Sequence, residues 1–202
     1  MTSQLASETS VQKALTSERD QSVRALTLAF CADPLLRYCY PDPHHYLEHF
    51  PGFVEAFGGK AFECGRAFHD GDLLGTSLWL PPDIYSDDEA VYGHFEKTVE
   101  LRKVETVCLM LDHLGAAHPS EPHWHLALIG VDVAHQRKGL GSLLLRSMLD
   151  EIDREERSTY LESTSPTSVS LFERFGFRKL GIIQCGDAPP LFPMIREPKR
   201  VH

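Results

Sequence analysis

Apolar residues recur along this chain at two periods, and each change of period marks a boundary. Val23, Leu26, Ala29 and Phe30 keep helical spacing until Asp33-Pro34 interrupts it, which predicts a first helix ending there. Tyr46, Phe50, Phe53 and Phe57 carry a second helical stretch as far as Gly58-Gly59, where the backbone loses its side-chain restraint. Residues 61–68 and 73–80 are short β-favouring runs on either side of Asp70-Gly71, the pattern of an antiparallel hairpin, and Pro81-Pro82 ends the second run. Helical spacing returns over 83–116, with Tyr92, Phe95, Val99, Val107, Met110 and Leu114 as inward positions. Residues 123–133 are too short and too β-branched for a good helix and read as a central strand. Leu140, Leu143, Leu144, Met148 and Ile152 then form the apolar stripe of an amphipathic helix. A strand at 159–163, a short helix at 168–175 and closing strands at 179–185 and 191–195 complete the reading. Strands alternating with helices make the fold α/β. It is expected as one domain over 11–202, after a polar, flexible tail over 1–10.

Composition narrows the function. A chain of 202 residues with 42% hydrophobic and 24% charged side chains fills one core, whereas two domains would leave both small. The formal charge of −9 argues against nonspecific nucleic-acid binding, which relies on clustered Lys and Arg, and suits a cationic small molecule. No long apolar run and no apolar segment near Met1 occurs, so the expectation is a cytoplasmic protein with no membrane partner, as a monomer or homodimer. Cys31, Cys39, Cys64, Cys108 and Cys185 are odd in number and scattered, which predicts buried free thiols rather than disulfides or a thiolate metal site.

The densest chemical signal is Gln136-Arg137-Lys138-Gly139-Leu140-Gly141, between the central strand and the amphipathic helix. Glycines there let a ligand approach the backbone, and the first helical turn presents unpaired amides with the positive end of the helix dipole. Arg137 and Lys138 add mobile positive charge, so the turn suits a diphosphate. A dinucleotide fingerprint fits less well, because Leu144 stands where its third glycine belongs, and a P-loop is absent.

With these residues the chain resembles the GNAT family of N-acetyltransferases, whose Q/R-x-x-G-x-G/A motif is matched by Gln136, Gly139 and Gly141. Val131-Asp132-Val133 is similar to the family's V-x-P strand end, with Val133 in place of Pro, and residues 171–177 are similar to its "fYerlGF" segment. Within the family, residues 123–142 and 160–166 look most like the puromycin-acetyltransferase type. The resemblance implies a mixed, mostly antiparallel central sheet of about six to seven strands flanked by helices, with a V-shaped splay between two central strands. It also implies acetyl-CoA as co-substrate, held within a core of about 123–185. The strand end at Val131 and Val133 would pair with the pantetheine arm, and Gln136, Arg137, Lys138, Gly139, Leu140, Gly141 and Ser142 would hold the pyrophosphate. Ser168 takes the place of the family's usual Asn near the cofactor.

The implied reaction is acetyl transfer to a primary amine by direct attack. A Lys-like amine has a pKa near ~10.4, so about one molecule in a thousand is a free nucleophile at neutral pH, and a base is needed. The family's base position, fourteen residues before Gly139, holds His125, as it does in arylalkylamine acetyltransferases. Packing is the alternative role for this side chain. His123 and His125, two apart, would share one face of a regular strand. Such a pair can also ligate zinc, but no third ligand follows at a persuasive spacing, and no metal is expected. The family's acid, the Tyr of "fYerlGF", is replaced by Phe172, so water or Tyr160 would have to protonate the departing thiolate. If neither does, the alternative is a CoA-binding regulatory or scaffold protein with little turnover. Trp79, Tyr85 and Tyr92 are candidates for an acceptor pocket, with Asp83, Asp87, Asp88 and Glu89 attracting a cation or simply stabilising a helix start.

Overall fold

The computed structural model describes residues 10–199. Of the expected tail, all but Ser10 lies outside the described residues; Ser10 itself is exposed and outside any regular element. Seven strands form one sheet: β1 (Gln12–Lys13), β2 (Ala67–His69), β3 (Gly75–Leu80), β4 (Trp124–Val131), β5 (Thr159–Ser163), β6 (Arg178–Lys179) and β7 (Phe192–Arg196), in the order β1-β2-β3-β4-β5-β7-β6. Every pairing is antiparallel except β4 with β5.

Helices α1 (Arg19–Ala29) and α3 (Pro43–Gly58) realise the first two expected helical stretches, and α5 (Asp88–Thr98) and α6 (Leu101–Ala117) divide the third. Two short helices were hidden from periodicity. α2 (Pro34–Cys39) begins where the Asp33-Pro34 break was read as an ending, because Asp33 accepts from the Leu35 and Leu36 amides and Pro34 fits the first helical position. α4 (Lys60–Glu63) takes the start of what reads as a strand, and β2 is correspondingly shorter. α7 (Leu140–Arg154) and α8 (Pro166–Arg174) follow the expected pattern closely. Of the two closing strands, 179–185 contributes only Lys179 to β6 and a single bridge, Ile183 to Leu191.

The sheet separates two cores. On one face Val23, Leu26, Phe50, Val54, Leu78, Leu80, Phe95 and Val107 pack with Ala127 and Leu128. On the other, α7 places Leu145, Met148, Leu149 and Ile152 against Trp79, Trp124, Leu126 and Leu161, so the Trp79 ring is committed to this core. A β-bulge in β4 sets which residue faces where: Leu78 pairs with Leu128 and Trp79 with Leu126, leaving Ala127 unpaired. The extra residue turns both Ala127 and Leu128 to the α1 face and restores Ile129 to the α7 face. Gly130 then lies against α1, where a Cβ would meet the Ala29 Cβ at 2.6 Å.

β4 and β5 pair only at Trp124 with Thr159 and His125 with Tyr160. Beyond that point the two strands part, as the splay requires. Cys39 and Cys185 are buried, Cys31 and Cys108 half-buried, and all five cysteines are free; Cys64 is exposed, contrary to expectation. Among the described residues no helix is long and apolar enough to cross a membrane.

Candidate active site

The gap between β4 and β5 opens into a cavity of about 1230 Å3. At one end stands the start of α7. Gly139 precedes the helix at φ +91°, and Arg137 is also left-handed at +63°. The first helical bond is donated by the Leu143 amide to the Gly139 carbonyl at 3.0 Å, so the amides of Leu140, Gly141 and Ser142 have no intrahelical acceptor. A Cβ on Gly139 would meet nothing within 4 Å, so its φ, not crowding, is what demands glycine.

Val131, Val133, Gln136, Arg137, Gly139, Leu140, Gly141, Ser142, Ser168 and Phe172 all line this cavity. Lys138 is exposed and does not line it, so the positive charge at the turn comes from Arg137. Val133 lies outside the strand, in the turn Val133–His135, which Asp132 caps by accepting from the Ala134 amide at 3.0 Å. The Gln136 side-chain amide donates to the Val131 carbonyl at 3.1 Å, which ties the turn to the end of β4. The β5-facing backbone of β4 past His125 has no strand partner, leaving an edge for an extended ligand.

Midway along the cavity stands a carboxylate that the sequence reading overlooked. Glu162, on β5, lines the cavity, while its side chain is only 8% exposed. His125 Nε2 lies 2.9 Å from Glu162 Oε2, and His118 Nε2 lies 3.2 Å from Oε1. Burial alone would raise the pKa of Glu162, but the two histidines hold it below the usual carboxylate range. His125 is buried, packs edge-on to Phe57 at 5.6 Å, and is not among the cavity-lining residues. Its contact with the cavity therefore runs by way of Glu162.

Hydrogen-bond chemistry orders the rest of the cluster. The Glu121 carbonyl can only accept, so His123 Nδ1, 2.8 Å away, carries a hydrogen. Burial favours the neutral form of His123, whose Nε2 is then a lone pair accepting from His118 Nδ1 at 3.1 Å. His118 Nε2 in turn faces Glu162 Oε1, so each carboxylate oxygen has a histidine nitrogen beside it. Ligand atoms of His118, His125 and Glu162 lie within 4.8 Å of one another, a grouping that the His123–His125 spacing did not suggest and that their own polar contacts account for. His123 precedes β4 and is not one of the three.

Tyr160 does not occupy the position of an acid. It is fully buried, its hydroxyl has no hydrogen-bond partner, and it packs against the His118 ring at 4.2 Å, outside the cavity lining. Burial, with the negative charge of Glu162, pushes its pKa up and keeps the proton on. Phe172 is buried, touches the cavity and meets Phe177 edge-on at 5.8 Å.

The expected acceptor residues are elsewhere. Trp79 faces the α7 core, Tyr85 is 60% exposed, and Tyr92 donates to Asp112. Asp87 caps α5 by accepting from the Ala90 amide at 3.0 Å, and neither it nor Asp83, Asp88 or Glu89 reaches the cavity. Besides Phe172, the aromatic lining is instead Phe30, Phe53, Phe57 and Phe95.

Comparison with known proteins agrees with this geometry. Residues 103–198 match the family described as Acetyltransferase (GNAT) domain. The fold of the chain is that of the GNAT acetyltransferases, and the matched segment holds β4, the Gly139 turn and β5. The similar solved structures include a Corynebacterium glutamicum protein described as histone acetyltransferase HPA2 and related acetyltransferase, at 24% identity and TM-score 0.65, covering 95% of this chain and 97% of that one. They also include arylalkylamine N-acetyltransferase 2 from Aedes aegypti, at 13% identity and TM-score 0.65, covering 94% and 98%. An uncharacterized N-acetyltransferase of Schizosaccharomyces pombe is 24% identical over 159 residues, 67% of this chain and 61% of the relative's length.

Proposed function

We propose that the protein transfers the acetyl group of acetyl-CoA to the primary amine of a small molecule by direct attack. The observation that carries this reading is one cavity running from the amides at Gly139 to the Glu162 carboxylate. The turn suits the pyrophosphate: free amides, a helix N-terminus and Arg137 converge there, in a chain of overall negative charge. The unpaired edge of β4 suits the pantetheine amides. The acyl carbonyl would then lie in the gap between β4 and β5.

Glu162 attracts the ammonium form of the acceptor and relays its proton to His125 Nε2, because a carboxylate held below its usual range does not keep one, while His118 orients the other carboxylate oxygen. The amine nitrogen forms the C–N bond, the C–S bond breaks, and CoA leaves as thiolate. With Phe172 in place of a hydroxyl donor the thiolate leaves unassisted or by way of water, which a thiol pKa near ~8.5 permits. Slow loss of the thiolate is also what would favour the second reading, a CoA-binding protein with little turnover.

Two outcomes follow. Gly139→Val forces a β-branched residue to φ +91° and tilts the amides, so acetyl-CoA affinity measured by calorimetry falls tenfold or more while the chain stays folded by circular dichroism. Unchanged affinity would put the cofactor elsewhere. Phe172→Tyr supplies a proton donor, and if thiolate departure limits the rate, thiol release in stopped-flow assays rises by ~10-fold or more.

A further inference from the structure

We infer that the acceptor is a monoamine carried on an apolar, aromatic-sized body, and that diamines and polyamines of similar length are poor substrates. This inference rests on the transfer reading and names the acceptor for that same site.

The cavity beyond Glu162 is walled by Phe53, Phe57, Phe95, Val107, Met110 and Leu114. The rings form a continuous surface: Phe53 stacks on Phe57 with centroids 5.2 Å apart and interplanar angle 15°, and Phe95 meets Phe53 at 5.2 Å. Phe57 in turn abuts His125 at 5.6 Å, so the aromatic wall ends beside the Glu162 cluster. An amine whose nitrogen reaches Glu162 therefore lays its carbon skeleton on this wall.

A second cationic centre has no counterpart there. Asp33 and Glu162 are the only carboxylates among the lining residues. Asp33 is committed, for it accepts from the Leu35 and Leu36 amides at 3.0 and 3.2 Å and from the Thr164 hydroxyl. Burial also raises its pKa, which weakens it as a site for a cation. The basic lining residues, Arg137, Arg174 and His135, belong to the Gly139 and α8 side. A distal ammonium would be desolvated against phenyl and aliphatic groups without a hydrogen-bond partner or counter-charge, an unfavourable transfer. An apolar tail of the same length gains from the same surface.

Hexylamine and 1,5-diaminopentane form an isosteric pair, differing by a terminal methyl against a terminal ammonium. With the wild-type chain and acetyl-CoA, kcat/KM for hexylamine is expected to exceed that for the diamine by ~10²-fold, with phenethylamine at least as good as hexylamine. Titrating the same two amines into the protein–CoA complex reads the wall without turnover, and hexylamine is expected to bind at least tenfold more tightly. Leu111→Glu puts a carboxylate on the half-buried edge of this lining and is expected to narrow the ratio about tenfold or more, its fold verified by thermal melting. Equal or tighter binding of the diamine to the wild type overturns the inference. Tight hexylamine binding with no thiol release would instead support the wall and sink the transfer reading.

Discussion

Glu162→Gln is expected to lower kcat by ~10² to 10⁴ with acetyl-CoA affinity unchanged, as measured by thiol release and by calorimetry. The substitution keeps the shape of the side chain and one oxygen that can accept from a histidine, while removing the charge and the ability to take a proton. A structural role would be largely spared by so conservative a change. His125→Phe separates the two histidine roles that the sequence left open. It keeps a ring against Phe57 but deletes the nitrogen at Glu162 Oε2, so kcat should fall and the pH profile should shift, since Glu162 then loses one of the groups that hold its pKa down. If His125→Phe keeps full kcat and the parent profile, His125 only packs. The sign for stability follows from the same shift. Glu162 has a depressed pKa in the folded chain, so its contribution is complete above the ordinary carboxylate value near ~4.3 and is lost as pH falls through its lower folded value.

Asp153→Ala is expected to destabilise the fold by roughly 3–5 kcal/mol, which for a chain of this size lowers the melting temperature by roughly 6–20 °C. Asp153 accepts from Arg196 Nη1 and Nη2 at 2.7 and 2.6 Å, and Arg196 is only 2% exposed. Arg196 Nε also donates to the Phe175 carbonyl, so one guanidinium joins α7, β7 and the turn after α8. Without Asp153 that charge stays buried with a single carbonyl for company. Burial would raise the pKa of Asp153, but its bonds to Arg196 and the Lys199 amide bring it below the usual range. The stabilisation is therefore complete above ~3.9 and fades as pH falls further. Thermal melts of both chains at neutral pH and in acid measure it: the gap should be wide at neutral pH and should close in acid. A shift under 1 kcal/mol would mean that Arg196 finds another partner.

The parts of this site that were legible in the sequence are those built from local pattern. α7 announced itself through its stripe and the glycine turn before it, and β5 through a β-favouring run with the same bounds as observed. What escaped depends on pairing between distant segments. The bulge at Ala127 has no local signature, yet it decides which β4 side chains face the cavity. Tyr160 and Glu162 share one face of β5, but only Glu162 reaches the gap, because the strands are still paired at Tyr160 and have parted two residues later. A clue was present: a Glu inside a run of otherwise buried strand residues requires a partner or a task, and here His125 and His118 are the partners. Trp79 was misassigned for a related reason, since Leu78 and Leu80 alternate with it and only the sheet's two faces tell them apart. The acceptor wall came from Phe53 and Phe57, which helical spacing had placed in a helix without showing what they face.

Acetyl-CoA labelled in its acetyl carbonyl, incubated with hexylamine and the wild-type chain, tests the central claim most directly. The account predicts labelled N-acetylhexylamine by mass spectrometry in step with free CoA, and a rate at least ~10²-fold lower with Glu162→Gln. Saturable acetyl-CoA binding with no labelled amide from hexylamine, phenethylamine or 1,5-diaminopentane would contradict it, and would leave a CoA-binding protein in its place.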